Sequence, residues 1–191
     1  SKIGDCSYSD ITVFSFHPVK IITTSEGGMA LTNSKDLAYK MSILRTHGIT
    51  KDINKFENNN HGQWYYEQVD LGFNYRMTDI HAALGISQLK RIDSYIEKRH
   101  EIANFYNKEL KDLPLAIPIQ YSDSFSSFHL YIIQLDIQNL KKSHKEIFDS
   151  LRNSGLGVNL HYIPVHIHPY YKNLGFQEGD FPKAELYYKK A

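Results

Sequence analysis

The sequence predicts an α/β protein, and three observations carry that expectation: a strand, strand, helix succession at the start, a β-α-β succession towards the end, and a long helical stripe between them. With 191 residues, 41% of them hydrophobic and 13% aromatic, the chain has the apolar material to bury a core.

Between Ile11 and Phe16 the residues are β-branched and aromatic, which reads as a strand, and Gly27-Gly28 punctuates the approach to a second one over Met29 to Thr32. From Ser34 to Leu44 the apolar Leu37, Met41 and Leu44 recur at helical spacing, with Ser34 placed as N-cap. The stretch from His47 to Tyr75 has no sustained period; it holds the run Asn58-Asn59-Asn60-His61-Gly62 and the cluster Trp64-Tyr65-Tyr66, and loops of that length are functional or mobile as a rule. Thr78 then caps a helix whose apolar Ile80, Leu84, Leu89, Ile92, Ile96, Ile102 and Phe105 keep to one stripe until Pro114. At up to about 35 residues, such a helix is long enough to link two domains. Beyond it the pattern predicts a strand over Phe128 to Leu135, a helix over Ser143 to Asn153, and a strand over Leu156 to Tyr162. Ser143 and Glu146 fit a capping box for that helix, and Gly155 fits its stop.

Charge and cysteine content narrow the function classes. The 22 basic and 21 acidic residues leave a net charge of +1, and no block of either sign makes a footprint for nucleic acid or a membrane surface. Cys6, the single cysteine, has no partner for an internal disulfide, and no apolar run approaches the roughly 20 residues that cross a bilayer, so a cytoplasmic protein is expected. The first residues, Ser1-Lys2-Ile3-Gly4-Asp5, read as the middle of a domain, and the run from Phe181 to Lys190 opens a helical pattern that no cap closes. A piece of a longer protein is expected.

The chemistry concentrates in Phe14-Ser15-Phe16-His17-Pro18-Val19-Lys20-Ile21-Ile22-Thr23-Thr24-Ser25-Glu26-Gly27-Gly28. A strand ending in a turn, with a hydroxyl and a lysine five residues apart, can place both side chains in one pocket, one to donate to a phosphate and the other to attack a carbonyl. Pro18 fixes the turn, and Gly27-Gly28 lets the backbone pass close to a ligand or take positive φ. Lysine suits an aldehyde cofactor because its neutral amine is the nucleophile. Each residue alone has an ordinary reading, a solvated lysine and a turn serine. The combination is the signal.

That stretch closely resembles the cofactor-lysine segment of the DegT/DnrJ/EryC1/StrS sugar aminotransferases, in which Ser-Phe-His-x-x-Lys is followed by Thr-Thr-x-Glu-Gly-Gly; every position is filled here. The resemblance implies pyridoxal 5'-phosphate held by Lys20, which also acts as the acid-base group, with Ser15 on the cofactor phosphate. His17 stands near the cofactor in that reading, or serves only the turn. A second segment, Gly72-Phe73-Asn74-Tyr75-Arg76-Met77, is similar to the family's motif at the start of the linking helix. By that resemblance Asn74 reaches the cofactor phosphate of a partner subunit in a homodimer. Arg76 is either a substrate anion contact or an interface ion pair. Arg45-Thr46-His47-Gly48 and Trp64-Tyr65-Tyr66-Glu67-Gln68 also match the family's pattern, the aromatic residues packing on the dimer partner or bordering the substrate cleft.

Farther on, the stretch from Gly157 to Tyr171 is dense in histidine and tyrosine. His166 and His168 would share a face of an extended strand, the spacing that raises a metal reading. The family resemblance points instead to a small-domain strand and turn facing the active site, with His161 and Tyr162 in substrate binding and no metal. It also implies fold type I of the pyridoxal-phosphate-dependent transferases, like aspartate aminotransferase. Residues 1–76 would be the C-terminal part of the large domain, 77–113 the linking helix, and 114–191 an incomplete small domain.

Within the family, His47-Gly48-Ile49-Thr50-Lys51-Asp52, Trp64-Tyr65-Tyr66-Glu67 and Ser87-Gln88-Leu89-Lys90 most resemble aminotransferases of the pseudaminic acid pathway. The implied reaction is transfer of an amino group from L-glutamate to UDP-2-acetamido-2,6-dideoxy-β-L-arabino-hexos-4-ulose. The alternatives are a family enzyme for GDP- or dTDP-sugars, making a 3- or 4-amino product, and a non-catalytic binding or assembly module. The family's acidic partner for the pyridine nitrogen, its ring-stacking aromatic residue and its first phosphate loop lie upstream of the lysine motif, so these 191 residues alone are expected to be inactive.

Overall fold

In the computed structural model, which describes residues 2–59 and 62–191, the β-branched run near the start forms β1 (Thr12–Ser15), paired antiparallel with β2 (Gly28–Leu31). Ser1, Asn60 and His61 lie outside the described residues, the last two within the asparagine-rich run noted above. Ser34 accepts from the Leu37 amide and opens α1 (Lys35–Leu44), as its spacing predicts.

The segment after α1 carries more order than its sequence suggests. β3 (Ile49–Thr50) pairs with β4 (Glu67–Gln68), and Thr46 bridges to Asn74. The amides of Phe73, His47 and Tyr75 add bonds to Leu44, Phe73 and Arg45 carbonyls at 2.7, 2.8 and 2.9 Å. Two motifs that looked separate in sequence are therefore the two sides of one ladder. Gly48 permits it: its φ is +71°, and a Cβ there would stand 1.8 Å from the Asp70 carbonyl oxygen.

Thr78 caps α2 (Asp79–Leu89), but the single helix expected from there to Pro114 is divided, and α3 (Ile92–Leu110) begins after a turn at Lys90 and Arg91. The Arg91 amide bonds the Gln88 carbonyl three residues back, which tightens the last turn and ends the α-helical ladder. No glycine or proline marks this break.

The chain forms two compact units, Ser1–Ser94 and Tyr95–Ala191. In the second, β5 (Leu115–Ala116) pairs with β6 (Gln134–Leu135), and α4 (His144–Asn153) opens on the expected capping box, both halves of it formed. The strands expected over Phe128 to Leu135 and Leu156 to Tyr162 are corrected: only Gln134 and Leu135 are in a ladder. An extended segment becomes a strand where another backbone pairs with it, and none does so along the rest of these runs among the described residues. Two short helices follow, α5 (Pro169–Lys172) and α6 (Pro182–Tyr188). Past Tyr188 the Lys189 and Ala191 amides still bond the carbonyls four residues back, those of Glu185 and Tyr187.

Candidate active site

Ser15 and Lys20 lie on one β-hairpin whose shape comes from its own hydrogen bonds. Ser15 stands opposite Gly28 at the last rung of the β1–β2 ladder. Beyond it the Phe16 amide bonds the Gly27 carbonyl at 2.9 Å, and the Phe16 carbonyl accepts from the Thr24 amide at 3.0 Å and the Thr23 hydroxyl at 2.9 Å. Inside this closure, the Lys20 amide donates to the His17 carbonyl at 2.9 Å, making a turn with Pro18 at its second position, where the fixed φ of proline fits. The turn thus presents Lys20, half-buried, a few residues from the exposed Ser15 hydroxyl. That hydroxyl oxygen has one long contact, from the His17 amide at 3.4 Å, and remains able to donate to an anion.

The far side of the hairpin is equally tied. Thr24 is 2% exposed and donates to the Glu26 carbonyl at 2.8 Å; the Ser25 amide donates to the Thr23 hydroxyl at 2.9 Å. Gly27 sits at φ +150°, and a Cβ there would meet the Thr24 hydroxyl at 2.5 Å and the Met77 methyl at 2.7 Å. A Cβ on Gly28 would stand 2.8 Å from the Phe14 carbonyl oxygen. The two glycines are therefore required by close approach. α2 lies against this side: Gly85 faces the Thr24 methyl, and the Gln88 side-chain oxygen accepts from the Thr23 amide at 3.3 Å.

Asn74 and Arg76 are exposed, on the segment that leads through Met77 into α2. The same unit thus holds Ser15, Lys20, Asn74 and Arg76. Phe73 and Tyr75 flank Asn74 with their rings stacked, centroids 4.9 Å apart. Nearby in sequence, Glu67 is buried and accepts from the Glu57 and Asn58 amides at 2.6 and 2.8 Å and from the Tyr65 hydroxyl at 2.8 Å. Burial works to raise its pKa, but these donors prevail and hold it below the ordinary glutamate range.

His161 and Tyr162 belong to the second unit, with rings stacked at 4.0 Å. His161 lines a cavity of about 310 Å³ with Tyr131, Ile133, Phe148 and Leu160, while Tyr162 is exposed. His166 and His168 do not share a strand face: Val165–Ile167 is a tight 3-10 turn, because Pro164 and Pro169 bracket it. His166 is buried and its Nε2 meets the Glu185 carboxylate at 2.8 Å, whereas His168 is exposed. Among the described residues no group of three metal-ligating side chains is brought together. Sequence reasoning missed the His166–Glu185 pair and the contact of Gln88 with Thr23, both made across distances in the chain that no local pattern spans.

The fold is that of the fold type I pyridoxal-phosphate-dependent transferases. Over residues 1–191 the sequence matches the model of the DegT/DnrJ/EryC1/StrS aminotransferase family, and the chain belongs to that family. It is 42% identical over 191 residues to the UDP-4-amino-4,6-dideoxy-N-acetyl-beta-L-altrosamine transaminase of Campylobacter jejuni, covering 97% of this chain and 48% of that protein. Among solved structures it resembles the PLP-form of a sugar aminotransferase, Spr1654, from Streptococcus pneumoniae (TM-score 0.83, 32% identity, 97% of this chain and 46% of that one). It also resembles Helicobacter pylori PseC, an aminotransferase of pseudoaminic acid biosynthesis (TM-score 0.83, 32% identity, 96% of this chain and 47% of that one). The chain spans about half the length of the curated relatives it matches.

Proposed function

We propose that the complete protein carrying this chain is a pyridoxal-phosphate-dependent aminotransferase. Its substrate would be a nucleotide-linked 4-keto-6-deoxy sugar, UDP-2-acetamido-2,6-dideoxy-β-L-arabino-hexos-4-ulose, and its amino donor L-glutamate. The observation that carries this reading is the hairpin with Lys20 on its turn and Ser15 at its strand end. The residues present fit the cofactor: a half-buried lysine for its aldehyde and an exposed serine for its phosphate, on a hairpin whose glycines allow its tight packing. When bound, the cofactor supplies the electron sink of transamination.

The chain's own residues do the rest. Lys20 would hold the cofactor through its Nζ, and its amine would take the donor's α-proton and return it. Ser15 donates to the phosphate and so fixes the cofactor's position relative to Lys20. Asn74 serves the same phosphate in the partner of a homodimer, a role supported by its exposure on the segment that leads into α2. Arg76 contacts the anionic part of the substrate, and His161 and Tyr162 its sugar or nucleotide. The relatives named for the altrosamine transaminase support the UDP-sugar over GDP- or dTDP-sugars. A cytoplasmic setting agrees with this chemistry, and no helix among the described residues is long and apolar enough to cross a membrane.

The test is an assay of the complete protein against a panel of UDP-, GDP- and dTDP-linked 4-keto-6-deoxy sugars with glutamate. The UDP-sugar is expected to be aminated fastest, and Lys20→Ala is expected to lose both turnover and the visible absorbance of lysine-bound cofactor. Turnover at the parental rate in Lys20→Ala would end the proposal.

A further inference from the structure

We propose that α2 is the positioning element for Lys20, with Gly85 and Gln88 seating the two threonines that follow the lysine and thereby fixing where its amine stands; this rests on the reading of Lys20 given above. Gly85 and Gln88 are three residues apart and so share a helix face. Towards that face the hairpin turns Thr23 and Thr24. Thr24 is almost wholly buried, and a Cβ at position 85 would stand 2.7 Å from its Cγ2, closer than such atoms come. The Gln88 side-chain oxygen accepts from the Thr23 amide at 3.3 Å, across 65 residues of chain. Met77, just ahead of the helix, closes on Gly27 in the same way.

Glycine is a poor residue for the interior of a helix, so its presence at 85 calls for a physical reason, and the approach of Thr24 supplies one. The hairpin's internal bonds define its shape, but they do not define its height over the rest of the unit. The contacts with α2 do. The Thr23 hydroxyl and the Thr24 amide also close the loop onto the Phe16 carbonyl, so a shift of either threonine is passed to the turn that bears Lys20. Neither Gly85 nor Gln88 is a catalytic residue in this account, because each acts through the threonines.

The experiment uses the complete protein freed of cofactor, in the parent and in Gly85→Ala, Thr24→Ser, the double variant of both, Gln88→Met and Gln88→Glu. Each is incubated with pyridoxal 5'-phosphate, trapped with borohydride, and the labelling rate of the Lys20 peptide is read by mass spectrometry alongside the urea midpoint. Gly85→Ala and Gln88→Met are expected to slow Lys20 labelling about tenfold, the scale set by a displaced contact or an unpaired amide, with urea midpoints lowered but the protein still folded where labelling is read. Thr24→Ser removes the methyl that an alanine at 85 would strike, so the double variant is expected to return to within about twofold of the parent. Gln88→Glu keeps the acceptor and is expected to retain labelling. No labelling of Lys20 in the parent would overturn the cofactor reading itself. Parental labelling in both Gly85→Ala and Gln88→Met, or a double variant as slow as Gly85→Ala, would overturn the positioning role alone. Should Gly85→Ala fail to fold, the Gln88 pair decides.

Discussion

Glu185 shows how a single carboxylate can organise a stretch of chain that has little regular structure. It accepts from His166 at 2.8 Å and from the Gly179 amide at 2.7 Å, and the His166 bond, followed by that amide, holds its pKa below the ordinary glutamate range. A carboxyl lowered in the folded state stabilises fully above its unfolded value, and that contribution is lost as pH falls through the lowered one. Glu185→Gln is therefore expected to reduce the urea midpoint of the complete protein at neutral pH. The gap from the parent should narrow as the pH drops through and below the ordinary glutamate range. A gap independent of pH would show that the ionised carboxylate contributes nothing. At this scale the sequence was legible in the turn itself, where Pro18 was expected to fix it and the Lys20 amide closes it onto the His17 carbonyl. It was not legible for His166, whose neighbour His168 suggested a metal pair while its actual partner lies 19 residues on.

Elements divide by the range of the forces that make them. α1 and α4 were readable because their caps are local: Ser34 and Ser143 each bond an amide three residues ahead. Ser143→Ala should cost about 1 kcal/mol, since it removes the bond from the Glu146 amide and the hydroxyl's own bond to the Glu146 carboxylate, while the bond from the residue-143 amide to that carboxylate stays. Faster hydrogen exchange in the first turn of α4 would register it, and unchanged exchange there would count against the cap. Strands were readable only where a partner lay close by in sequence, as β2 does for β1. The ladder between residues 44–50 and 67–75 escaped notice because its two sides are polar and aromatic, without the alternation that marks a half-buried strand. The break between α2 and α3 escaped for the opposite reason, because Lys90 and Arg91 are good helix formers and the stripe runs on past them.

At the scale of the whole molecule, the chain spans about half the length of its relatives, and Leu71, Tyr75 and Ile80, near Asn74 in sequence, are 82, 73 and 81% exposed in it, a face that the rest of the complete protein or a partner subunit covers. If Asn74 completes the partner's site, mixing Lys20→Ala with Asn74→Ala subunits creates heterodimers with one intact site out of two. Random mixing should then restore roughly a quarter of the parental turnover, given a two-fold symmetric dimer. Absence of any recovery, with subunit exchange verified by native mass spectrometry, would place Asn74 in its own subunit's site or in none. The two-unit division at Ser94 falls inside α3, within the stretch 77–113 that the sequence pattern expects to link two domains. The tie between Thr23 and Gln88 also bears on the order in which the protein folds. The bonds that lace residues 12–31 join near neighbours, whereas this one spans 65 residues, and closing a long loop comes later than closing a short one. Until α2 docks, the turn that bears the lysine therefore rests on local bonds alone, and a two-stranded hairpin by itself is only marginally stable in water.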